Sequence, residues 1–277
     1  MAMTCCERPK VSDFGLGSQE SGVFHRTQWK KFPHVVFVAY RVILALYLLG
    51  ILIAYLIQQI NFFGGQAFVY LTNLGFIVFF IYVVLAGIVA VVDGAILKLF
   101  RTRNSEDANT CKMRIRHKMQ WMFFNITINT NILVTIIYWG ALYNPNFPFF
   151  YDFHVHTFTT IVSLIDLFLM PIPVRFLHFI YPIGFDLAYM ALTVIFWAAG
   201  GRTISSTGAI YPFIDYSNAP GVAAGVIVGI FVAVIIMHGL IWALYKLRVW
   251  IWLRCGNEIE AVPTEADQDL GKMEEGL

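Results

Sequence analysis

Two residues in this chain have the types and the setting to do chemistry together. Thr72 stands in the string Y-L-T-N-L and His156 in H-V-H-T. A hydroxyl and an imidazole held in contact form a nucleophile–base pair. The ring takes the hydroxyl proton as the oxygen attacks a carbonyl. In that reading Asp152, one helical turn before His156, is the nearest group to orient the imidazole. Asn73 and Tyr138 are the candidate donors to a developing oxyanion. His154 adds a second imidazole on a different helical face. Plainer roles exist for both leading residues. A threonine in a membrane helix can bond its own backbone, and a boundary histidine can anchor to headgroups.

These side chains matter because their surroundings are so apolar. Of the 277 residues, 58% are hydrophobic and 13% charged, and 25 are Phe. That profile excludes a disordered chain and disfavours a soluble globule. A net charge of +2 gives no basic field for nucleic acid. The fold class expected is an all-α membrane protein, a bundle of six transmembrane helices. The spans fall near 35–57, 69–92, 119–142, 153–170, 176–199 and 221–244. Residues 1–34 read as an N-terminal tail without a signal peptide. Residues 35–252 form the membrane domain, and 253–277 a disordered acidic tail.

Orientation follows from Lys and Arg. All but two of the 19 basic residues, Arg41 and Arg202, fall on one side of this layout. The positive-inside rule then places both termini in the cytoplasm. All four cysteines share that side, so structural disulfides are not expected. Cys5, Cys6 and Cys255 are candidates for palmitoylation or remain free thiols.

The same layout assigns depths. Spans two and four both start at the outer face, which sets Thr72 and His156 at one level, about 5 Å below the boundary. Arg41 and Asp166 match in depth near the cytoplasmic side, which predicts a buried ion pair with a structural role. Asp186 and His178 are further intramembrane polar groups, and Asp93 marks a cytoplasmic boundary where it meets water. Span three carries Asn125, Thr127, Asn129, Thr130 and Asn131, which need partners on other helices. Pro182 should kink span five. Gly221, Gly225 and Gly229 form a ridge on span six that permits close helix approach, within the bundle or in a homo-oligomer. The loop between Gly200 and Pro220 has an apolar centre and reads as a cap over the bundle or an interfacial anchor. No metal-ligand pattern is present and no cofactor is implied.

Several strings resemble the rolling stone family. They are R-T-Q-W at 26–29, Y-R-V-I-L-A at 40–45, Y-L-T-N at 70–73, S-L-I-D-L at 163–167, P-V-R-F-L-H-F-I-Y-P at 173–182 and I-Y-P-F-I-D-Y at 210–216. The resemblance runs from about Arg26 to the end of span six. It implies a multi-pass membrane protein linked to myoblast fusion. That family is in turn distantly similar to androgen-induced six-span threonine hydrolases, which cleave fatty acid esters of hydroxy fatty acids. Carried over, the catalytic pair of those hydrolases is Thr72 and His156.

Three functions therefore stand open. One is an integral-membrane lipid ester hydrolase whose partners are membrane lipids and a lipid ester substrate. Another is a non-enzymatic membrane protein of cell–cell fusion. The third, a small channel or transporter built on the polar stripe of span three, lacks the internal repeat that such folds use. Span lengths fit the plasma membrane and the endoplasmic reticulum alike.

Overall fold

A computed structural model describes residues 11–96 (without 18 and 20) and 113–255 (without 147 and 204–208). Cys5, Cys6, Cys111 and the acidic tail lie outside the described residues. The described chain is helical throughout, and no strand occurs among these residues.

Helix α1 is His34–Phe63. Helix α2, Leu71–Val89, runs on through a π turn at Ala90–Ile96. Helix α3, Ile115–Ile137, ends in a π turn at Tyr138–Leu142. Segment α4 has three consecutive parts: a helical turn Phe149–Asp152, a π turn Phe153–Phe158 and an α-helix Thr159–Leu169. Helix α5, Ile180–Ala198, follows a 3-10 turn at Phe176–Phe179. Helix α6 is Pro220–Arg254. Among the described residues five helices are long and apolar enough to cross a membrane; α4, interrupted and bearing two histidines and Asp166, is not among them. The chain is an all-α integral membrane protein.

Helix α3 is the axis. More of its residues are buried than on any other span, and α2, α4, α5 and α6 pack around it. This explains how its polar stripe is tolerated, because each amide finds a neighbour. Asn125 reaches His178 at 3.4 Å, and Asn129 reaches His238 at 3.1 Å. Asn131 donates to Ser163 Oγ at 2.9 Å. Such interhelical bonds are worth about 0.6 kcal/mol each on average. Their larger effect is to fix rotation about the helix axis, which greasy contacts leave loose.

Three expectations are corrected. Pro182 lies in the first turn of α5, where a missing N–H breaks no helical bond, so it marks a start and not a kink. The ridge of Gly221, Gly225 and Gly229 makes no close approach within the bundle, since a Cβ added at any of them would meet nothing within 4 Å; of the two alternatives only the one within the bundle is overturned. Asp93 does not simply meet water. It pairs with Arg116 and, at 2.7 Å, with His117.

The segment from Val11 to Phe32 is a strap and not a free tail. It crosses the end of the bundle where α1 begins and α6 finishes. Gln28 N donates to Leu169 O at 2.9 Å, Trp29 Nε1 to Phe168 O at 3.0 Å and Trp252 Nε1 to Gln28 O at 3.1 Å. Arg175 donates to Gly15 O and Gly17 O. Phe24, on the strap, is fully buried.

Candidate functional site

Thr72 and His156 lie at the opposite end, where two π turns face each other. A π turn inserts one residue and rotates the side chains that follow, and such turns concentrate at functional sites. Here they carry Tyr138 and His156. The two rings stack face to face, with centroids 3.4 Å apart and planes 5° apart. Thr72, in the first turn of α2, lines a small cavity with Tyr138, Tyr189, Met190, Tyr211 and Ile214. Tyr138 is therefore the link between the hydroxyl and the imidazole. Among the described residues no hydrogen bond joins Thr72 to His156.

The cavity is roofed by the loop after α5. Ile210 and Ile214 are buried, and Tyr211 accepts the Leu71 N–H at 3.1 Å and faces the Thr72 hydroxyl. Asp215 closes this loop by accepting from Ser217 N, Asn218 N and Asn218 Nδ2 at 2.8–3.0 Å. Those donors hold its carboxyl below the usual carboxylate range. So the loop is a built cap with its own turn chemistry. The space it covers is about 40 Å³, room for a water or two and not for an acyl chain.

The supporting residues divide. His156 is 5% exposed and its Nδ1 has no hydrogen-bond partner. Asp152, expected to orient it, faces the Tyr138 hydroxyl instead. The phenol also has no completed hydrogen bond. Asn73 is not free to serve an oxyanion. Its Nδ2 donates to Ala67 O at 2.7 Å and its Oδ1 accepts from Tyr55 at 2.6 Å, fixing the turn before α2. His154 is tied by Nε2 to the Tyr47 hydroxyl at 2.5 Å and by Nδ1 to Phe150 O at 2.6 Å. Both are structural pins.

The remaining intramembrane groups sit away from the cavity. Arg41 and Asp166 form an ion pair at 2.7 Å, both fully buried. Asp186 is buried on α5. His178 lies edge-on to Trp121, whose ring also carries the Arg175 guanidinium. No group of three or more His, Cys, Asp or Glu among the described residues could hold a metal ion.

The strings quoted at the start map onto this architecture. Y-L-T-N opens α2, S-L-I-D-L supplies Asp166, P-V-R-F-L-H-F-I-Y-P forms the turn into α5, and I-Y-P-F-I-D-Y is the cap. A family model described as protein rolling stone matches residues 5–256. The chain belongs to the rolling stone family. Protein rolling stone of Drosophila melanogaster is 27% identical over 243 residues, covering 86% of this chain and 87% of that protein. No solved structure matches.

Two important residues of this rolling stone family member were missed by reading its sequence. Tyr138 was read as an oxyanion donor, yet it is the stacking partner of His156. Arg248 lies beyond the sequence limit of span six, 221–244, among the basic residues that set the orientation. It is 1% exposed, because α6 continues to Arg254 and carries it back under the bundle. An apolar stretch running on past Arg248 (V-W-I-W-L) was the available signal.

Proposed function

We propose that this rolling stone family member is a non-enzymatic multi-pass membrane protein that acts in cell–cell contact or fusion through its capped outer face. The observation that carries the reading is the cap. Tyr211 and Ile214 are built into the bundle over a space too small for a lipid, which suits a fixed surface for a partner better than a substrate gate. In this layout the chain crosses the membrane six times, with α4 included, and both termini face the cytoplasm. The meeting of α1 and α6 at the strap supports an even number of crossings. Epitope tags at either terminus should be masked in intact cells and become accessible on permeabilisation.

A second reading rests on one observation: the buried, unpartnered Nδ1 of His156 beside the Thr72 cavity. With the cap open and Tyr138 turned aside, this pair could act as a threonine-type lipid ester hydrolase. The two readings separate in one experiment on cells in culture. Thr72→Val keeps the shape of the side chain and loses the hydroxyl. It should leave fusion unchanged and show no loss of labelling by a fluorophosphonate probe, because there is no labelling to lose. Ile214→Asp, which places a charge under the cap, should abolish fusion. Probe labelling of the wild type that disappears in Thr72→Val overturns the first reading in favour of the second.

A further inference from the structure

The strap end of the bundle holds a group of side chains that neither reading uses. His117 is 1% exposed and is the third residue of α3. Its Nδ1 accepts the Arg114 N–H at 3.0 Å, closing the helix start as a capping box. A backbone N–H only donates, so Nδ1 carries no proton and Nε2 carries the hydrogen. Nε2 then donates to Asp93 Oδ2 at 2.7 Å. Asp93 is presented by the π turn at the end of α2 and is also held by Arg116 from α3. The ring of Phe24, on the strap, stacks on His117 at 5.3 Å with planes 11° apart. Gln120 donates to Phe24 O at 3.2 Å, fixing the strap there.

Two further histidines lie beside this pair: His25 from the strap and His34 from α1. His25 Nδ1 and His34 Nε2 are both buried and without a hydrogen-bond partner. Gly94 packs against both segments: an added Cβ would lie 2.7 Å from His34 Nε2 and 3.2 Å from the backbone carbonyl oxygen of His25. The groups facing the cluster are thus Asp93 from α2, Arg114 and Arg116 from α3, His34 from α1, and His25 and Arg26 from the strap. Among the described residues of this group Asp93 is the one carboxylate, and Arg116 pairs with it.

We propose that this cluster is a proton-sensitive latch that holds the N-terminal strap on the bundle while its histidines are neutral. A proton taken from solvent onto His117 Nδ1 sets an N–H against the Arg114 N–H and removes the acceptor that starts α3. A proton on His25 adds positive charge that no second acid among the described residues of the cluster balances. Leaving the bundle returns His25 to water, where its charge is solvated.

The direction of the linkage is fixed. Burial is the largest influence on His25 and pushes it down to about 4, with His117, His34 and Arg26 acting the same way and Asp93 opposing. A base whose docked pKa is depressed favours docking fully above its free value and loses it as pH falls toward the docked value. From His25 alone, docking weakens about 30-fold between pH 7.5 and pH 5.

The Gln28 amide reports the docked strap, because it donates to Leu169 O across the interface. Its hydrogen-exchange protection in the full-length protein in nanodiscs, corrected for the intrinsic rate, should fall by that factor or more at pH 5. In the double variant His25→Gln/His117→Gln the fall should vanish. Gln at the third helical position still accepts the Arg114 N–H and cannot titrate. The amide of Ile128, deep in α3, serves as the fold control and should stay protected throughout. Unchanged protection in the wild type overturns the latch. An equal fall in the double variant also overturns it, as does a variant whose Gln28 is unprotected at both pH values while Ile128 is intact.

Discussion

Arg41→Ala and Asp166→Ala should each lower the stability of the purified protein by about 3–5 kcal/mol, the usual cost of stranding one member of a buried ion pair. The setting is an unforgiving one for an orphan charge. The carboxylate takes Arg41 Nη1 at 2.7 Å, the Tyr82 hydroxyl at 2.7 Å and the Tyr40 hydroxyl at 3.1 Å. Met170 sulfur and the faces of Phe37 and Tyr40 surround the guanidinium. Removing Asp166 leaves a buried cation and two phenols without an acceptor. Removing Arg41 leaves a buried anion with two neutral donors, a somewhat milder loss. The double change Arg41→Leu/Asp166→Leu removes both charges and should recover more than half of the deficit. The coupling between the sites is then measured directly. Thermal unfolding in detergent, followed by retention on size exclusion, checks this. Single-variant melting points within a degree or two of wild type would show that the pair contributes little.

The pairing of Arg41 with Asp166 was visible in the sequence because depth decided it. Positive-inside counting gave each span a direction, and the rise of the helix then gave each residue a height. Height alone does not give rotation about the helix axis. Thr72 and His156 share a level, and Tyr138 connects their surroundings, stacking on His156 and lining the cavity with Thr72. Its place depends on two π turns, and nothing in apolar periodicity signals an inserted residue. One of these turns, Phe153–Phe158, also interrupts α4. The cap was legible in outline, since an apolar centre in a long outer loop must find cover. The strap was not. Residues 11–32 have no hydrophobic period, and their attachment is made by backbone carbonyls that accept from Arg175, Trp252 and Gln120, groups whose partners carry no sequence code. Asp93 was misread for a related reason. A charge at a span boundary is usually solvated, and only the packing of the start of α3 beside the end of α2 brings Arg116 and His117 into reach.

Arg248→Ala should be the most damaging single change at the strap end of the molecule. Its guanidinium is held by three carbonyls of the turn that ends α4. Nη1 donates to Leu167 O at 2.6 Å and to Met170 O, and Nη2 to Ile172 O at 3.1 Å. A helix leaves its last carbonyls unsatisfied, and they carry the negative end of its dipole. The guanidinium caps that end, and Tyr245 covers its face at 4.8 Å. No carboxylate takes part, so the charge is balanced by dipoles held in fixed positions. Truncation strands three buried acceptors at about 1–3 kcal/mol each, giving a loss of at least 3 kcal/mol. Arg248→Lys tests whether charge or shape matters. An ammonium is a compact point charge and cannot span carbonyls on both arms of the fork, so lysine should restore less than half of the loss. The strap should loosen with the turn, because Gln28 and Trp29 bond the neighbouring carbonyls of Leu169 and Phe168. Hydrogen exchange at the Gln28 amide in Arg248→Ala should therefore quicken at every pH, whereas acid-induced opening in the wild type acts only below neutrality. Wild-type protection of that amide in Arg248→Ala would separate the turn from the strap and refute the capping role.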